Sequence, residues 1–157
     1  MNLDSMNRWL TLVANIGVLA GIIFLAYELQ QNTVATRVEA ASNFNSSFSE
    51  IELFIAGNPE FAELLTKGRE GTELSGSDQL RLWVFYNQVL RQWQFTHYQY
   101  VSDVFDEDNW QAQRAFMLAV MSSDIGLLDH WRQTKSQYNP VFNAVINSIV
   151  EELKIEY

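Results

Sequence analysis

The sequence predicts an all-α protein: one N-terminal transmembrane helix continuing into a stalk and a small helical bundle. Three observations predict it. Nineteen residues from Trp9 to Tyr27, WLTLVANIGVLAGIIFLAY, carry no charge. Beyond Glu28 apolar residues keep recurring at spacings of three and four, punctuated by capping residues and prolines. No stretch alternates with period two for long enough to make a strand. The expected divisions are a short tail at 1–8, the transmembrane helix at 9–29, an amphipathic stalk at 30–57 and the bundle at 58–157.

Arg8 and Glu28 close the uncharged run. About 20 apolar residues rising ~1.5 Å each cross a hydrocarbon core of roughly 30 Å. Trp9 and Tyr27 stand at the two ends, where amphipathic rings prefer the headgroup level. A cleaved signal peptide has an apolar region of only about 7–15 residues and a small-residue cleavage site. Neither fits, so the segment is expected to remain as an anchor.

Winding the span at about 100° per residue sorts it into two arcs. One collects Trp9, Leu12, Ile16, Leu19, Ile23 and Tyr27, all large. The other collects Thr11, Ala14, Asn15, Gly17, Val18, Gly21 and Ile22. Small residues let two helices approach closely, and an amide in lipid favours a partner on another helix. Ala14, Asn15, Gly17 and Gly21, with a GxxxG at their centre, are therefore the candidate oligomer interface. Basic residues balance across the span, Arg8 before it and Arg37 after it. The free amino terminus favours the tail inside.

After the span, Val34, Val38, Ala41, Phe44, Phe48, Ile51 and Ile55 form one stripe. Gly57 then stops the helix, and Asn58-Pro59 starts the next, which is expected to run to Thr66. The loop Gly68 to Gly76 follows. Ser75 or Ser77 caps a long aromatic helix from about Asp78 to Asp103. Its apolar residues face nearly every direction, which places it at the centre of the bundle. Asp106 or Asp108 caps the next helix, Leu127 to Trp131 reads as a short amphipathic turn, and Asn139-Pro140 opens the last helix.

Composition excludes several classes. Ten Lys+Arg against nineteen Asp+Glu give a charge of -9 and a pI near 4.6, without the basic footprint of a nucleic-acid binder. Hydrophobic residues at 48% and charged residues at 18% argue against disorder. With no cysteine there is no disulfide framework, no thiol nucleophile and no cysteine-ligated metal. No phosphate loop, dinucleotide fingerprint, nucleophile elbow or zinc-protease motif occurs. No cofactor or metal is expected.

Three groups of residues invite chemistry. Arg91, Gln94, His97 and Tyr98 make a polar stripe on the aromatic helix, either a ligand site or a hydrogen-bonded network that sets the register of the core. Asp129-His130 resembles a base with its orienting carboxylate, but neighbours on a helix point about 100° apart. Asp103, Asp106, Glu107 and Asp108 gather carboxylates, yet lack the central Gly and spacing of a calcium loop and fit helix capping better.

Ile22 to Arg37, IIFLAYELQQNTVATR, with Gln31-Asn32-Thr33 and Ala35-Thr36-Arg37, resembles the opening of a widespread uncharacterised bacterial family of small single-span membrane proteins. Tyr98-Gln99-Tyr100, Trp110, Trp131 and Pro140-Val141-Phe142 resemble its middle and tail. The resemblance implies an anchor in the bacterial inner (cytoplasmic) membrane bearing a helical domain, and it brings no activity with it. Members that carry an extra Arg just after the span would hold that domain in the cytoplasm. Leu29-Gln30-Gln31 lacks this Arg here, yet the resemblance still leans toward a helical domain on the cytoplasmic side.

The function expected is non-enzymatic: a membrane-anchored protein that self-assembles through span and stalk, as an oligomeric scaffold or an accessory subunit of a membrane complex. Its partners would be membrane lipid and further copies or other membrane subunits. Two alternatives stand beside it. One is a ligand-binding domain at Arg91, Gln94, His97 and Tyr98, with a pocket beside them. The other is an oligomeric pore lined by Thr11 and Asn15 and ringed by Glu28.

Overall fold

The computed structural model describes residues 2–155. Met1, Glu156 and Tyr157, at the outer bounds of the expected tail and bundle, lie outside the described residues. Six α-helices and one 3-10 turn, Lys135–Gln137, make up the order of elements, with no strand among the described residues. The chain divides into two compact units, Met1–Glu39 and Ala40–Tyr157.

The first unit is the N-terminal part of α1, Leu3–Gly57. The helix begins inside the expected tail, where Ser5 N and Met6 N bond back to the Asn2 carbonyl at 3.0 and 3.2 Å. Every described residue before Ala40 is exposed except half-buried Ser5. This part of α1 is long and apolar enough to cross a membrane.

The second unit begins within the segment expected as stalk. Ala40 is buried, and Phe44, Phe48 and Ile55 pack on the core, so residues 40–57 belong with the helices that follow. The stripe read from the sequence therefore has two fates. Val34 and Val38 are exposed, whereas its later members are half-buried. Phe44 meets Phe105 at 5.4 Å and Phe48 meets Phe116 edge-on at 5.5 Å.

Local chemistry sets the remaining boundaries. Asn58 Oδ1 accepts from Phe61 N at 3.1 Å and Pro59 opens α2, Pro59–Arg69. Gly71 ends it at φ +70°, with Thr72 N bonding the Lys67 carbonyl and Gly71 N the Gly68 carbonyl, both at 3.0 Å. Ser75 caps α3, Gly76–Val101. The same closing motif recurs there with Asp103 at φ 58°, a conformation that Asp adopts more readily than most residues. Asp106 accepts from Asn109 N at 2.9 Å and starts α4, Glu107–Ser123. The acidic cluster thus caps one helix, closes another and places Glu107 and Asp108 at a helix N-terminus.

Leu127 to Trp131 is more than a turn: it lies in the ten-residue helix α5, Ile125–Thr134, capped by Asp124. Asn139 Oδ1 accepts from Phe142 N at 2.8 Å to begin α6, Pro140–Ile155. Each helix buries one face. Phe61, Leu64 and Leu65 do so in α2, Trp110, Met117 and Met121 in α4, and Phe142, Ile146 and Ile149 in α6. Arg114 ties α4 to α6 through Glu152. α2 and α5 cross at Gly68 and Gly126, where a methyl added to Gly126 would lie 2.5 Å from the Gly68 carbonyl oxygen.

α3 packs on α2, α4 and α5, but it is not enclosed. Leu80, Val84, Phe95 and Tyr98 stay exposed along one side. Among the described residues no further helix covers that face, so the all-round apolar pattern is buried on one side only.

Candidate functional site

Two places in the molecule have the makings of a site, one in each unit. In the first, Thr11 Oγ1 donates to the Asn7 carbonyl at 2.9 Å, which spends the hydroxyl within the helix. Asn15 makes no side-chain hydrogen bond among the described residues. Gly17 and Gly21 have open space around them: a methyl added to either meets nothing within 4 Å. The arc of Ala14, Asn15, Gly17 and Gly21 is therefore bare, with a free amide at its edge.

In the second unit the stripe of Arg91, Gln94, His97 and Tyr98 does not converge on one pocket. Arg91 and Tyr98 are exposed. Gln94 Oε1 accepts from Asn139 N at 3.0 Å, and Asn87 Oδ1, about two turns earlier, accepts from the Tyr138 hydroxyl at 3.1 Å. These two amides hold the connection into α6 against α3. His97 is buried among Trp110, Tyr100 and Phe142, with ring centroids 5.1, 6.4 and 6.1 Å away. Burial lowers its pKa and keeps the ring neutral.

Asp129 and His130 part company as well. Asp129 pairs with Arg132 at 2.8 Å in the open. His130 is buried between Trp83 and Tyr86, at 6.0 and 5.7 Å, and its Nε2 has no hydrogen-bond partner among the described residues. Its pKa is lowered by the same desolvation.

No family model, curated protein or solved structure matches this chain. The site must be read from its own geometry.

That geometry contains a group the sequence reading did not single out. Asp124 is almost wholly buried, and its Oδ1 accepts from Leu127 N at 2.8 Å and from the Tyr86 hydroxyl at 3.0 Å. Arg69 Nε lies 3.5 Å from Oδ2. Burial raises the Asp124 pKa, opposed by those three partners, and burial beside this carboxylate pushes the Tyr86 phenol far up. The cluster borders a cavity of about 260 Å3 between the C-terminal part of α1 and α2 to α5. Its walls are mostly apolar, with Phe48, Ile55, Phe85, Val89, Trp93 and Phe116 among them.

The cavity lies on the far side of α3 from the polar stripe: Val89 and Trp93 face it, while Arg91 and Tyr98 face solvent. Only one local signal bears on it in the sequence, the capping pattern of Asp124 ahead of Leu127. The rest depends on five helices meeting.

Proposed function

We propose that this chain is a single-pass, non-enzymatic protein of the bacterial inner membrane that self-assembles through its span. It would serve as an oligomeric scaffold or as an accessory subunit of a larger membrane complex. The observation that carries the reading is the bare arc of α1. Gly17 and Gly21 meet nothing within 4 Å, Asn15 has no side-chain partner among the described residues, and large apolar residues such as Leu12, Ile16, Leu19 and Ile23 stand exposed on the opposite side. Contiguous apolar surface of this extent calls for lipid or another protein. In lipid, close approach at small residues and an amide hydrogen bond between helices contribute about 1–2 kcal/mol. Neutral assembly of this kind needs no nucleic acid and no cofactor.

The test is the mass of the complex extracted gently from its native membrane, before and after replacing Gly17→Leu and Gly21→Leu together. The wild-type chain should give an integer multiple of 18.1 kDa, or a mass that includes other chains. The double variant should associate about tenfold more weakly, the equivalent of roughly 1.4 kcal/mol, while the bundle melts unchanged. An unaltered complex in that variant removes the span from the assembly.

A further inference from the structure

We propose that the cavity between the C-terminal part of α1 and α2 to α5 is a binding site for a small aromatic molecule with one uncharged hydrogen-bonding end. The site is independent of the assembly proposed for the span.

Size comes first. A cavity of about 150 Å3 lined by Leu, Ile and Phe accommodates benzene. At about 260 Å3 this one suits roughly ten non-hydrogen atoms, a bicyclic ring system. Shape agrees with size: Phe48, Phe85, Trp93 and Phe116 line the walls, and aromatic rings pack favourably edge-to-face at centroid distances of about 4.5–7 Å.

The charge of the walls decides the polar end. Arg69 is the cation of the lining and lies against Asp124, the cavity's own buried carboxylate. Glu52 adds a second carboxylate, on the exposed rim. An anionic end would therefore meet a net negative wall. A cationic end would give up its hydration for walls that are otherwise apolar. Gln92 remains: half-buried, lining the cavity, its amide without a partner among the described residues. An amide both donates and accepts, which suits a phenol, an indole-like N–H or a carbonyl.

The experiment uses the full chain in phosphatidylcholine nanodiscs with Ile, Leu and Val methyl groups labelled, titrated with 2-naphthol. Saturable shifts and intermolecular NOEs are expected at the Ile55, Val89 and Leu127 methyls. 2-Naphthoate should bind at least tenfold more weakly, as should 1-nonanol. Val89→Phe fills the cavity and should abolish the NOEs. Gln92→Leu leaves the space and should reduce the affinity for 2-naphthol to that for naphthalene, so the assignment does not hang on one variant folding. Non-saturating shifts confined to Leu12, Ile16 and Ile23 of the span mean partition into lipid and overturn the proposal. So does binding of 2-naphthoate or 1-nonanol as tight as that of 2-naphthol, or binding by Gln92→Leu that still favours 2-naphthol over naphthalene.

Discussion

A methyl group added at Gly17 or Gly21 would meet nothing within 4 Å, whereas one added at Gly68 or Gly126 would meet a neighbour at 2.4 or 2.5 Å. Both pairs sit on helices, and both pay the conformational cost of glycine there. In the bundle that cost is offset within the chain, because Gly126 lets α5 reach the backbone of α2 and Gly68 leaves room for Leu82 and Tyr86 of α3. In the N-terminal unit nothing in the chain offsets it. Glycine in the two regions should therefore answer to different measurements, stability in one and association in the other.

Gly126→Ala sharpens the comparison most. The new methyl would stand 2.5 Å from the Gly68 carbonyl oxygen and 2.7 Å from the Tyr86 hydroxyl. A backbone oxygen cannot yield without moving α2. The overpacking should cost about 3 kcal/mol or more, against about 1 kcal/mol regained from helix propensity. Denaturant unfolding of the full chain should show a net loss of roughly 2 kcal/mol. Gly17→Ala should leave the same transition where it is. Equal transitions in both variants would mean that α2 and α5 do not cross as described.

Asp124 offers a second break point, because nothing in the N-terminal unit resembles a buried, fully used carboxylate. Asp124→Ala removes a helix cap and strands the Tyr86 hydroxyl, together about 2 kcal/mol. Asp124→Asn keeps an acceptor for Leu127 N and for Tyr86, and should cost under about 1 kcal/mol. The sign of its pH dependence follows from the raised pKa. A carboxylate penalised by burial contributes stability that is present below its unfolded pKa and lost as pH rises through the folded value. That contribution should vanish in Asp124→Asn, as chemical denaturation at several pH values would show.

Legibility divided along the same line. Asn58-Pro59, Ser75, Asp106 and Asn139-Pro140 announced their helices because capping is local: one side chain, one amide three residues on, one proline. The uncharged run announced a candidate span because length and hydropathy suffice for that. α5 reads as only a short turn because Leu127 to Trp131 offers too few apolar positions to show its full length, and the place of Gly126 in its first turn follows only from the Gly68 carbonyl of α2. The partners of Asn87 and Gln94 are illegible for a similar reason: Tyr138 and Asn139 lie 51 and 45 residues away in the chain. The start of the bundle at Ala40 was hidden within a single unbroken stripe, since periodicity shows that a face is apolar but not what covers it.

The smallest expected effect separates the regions by protons. Both histidines, His97 and His130, lie in the bundle, and both are held neutral by burial. A histidine whose folded pKa is depressed supports the fold above its unfolded pKa of about 6.5 and loses that support as pH falls. The limit is about 1.4 kcal/mol per pH unit for each ring, and Asp124 works in the opposite sense. Between pH 7.5 and 5.5 the bundle should lose stability, read as a lower denaturant midpoint. His97→Phe with His130→Phe should flatten that slope. The arc of Ala14, Asn15, Gly17 and Gly21 contains no group that titrates in this range, so the mass of the extracted complex should stay constant across it. A complex that dissociates on the same slope as the bundle unfolds would show that assembly runs through the bundle and not through the span.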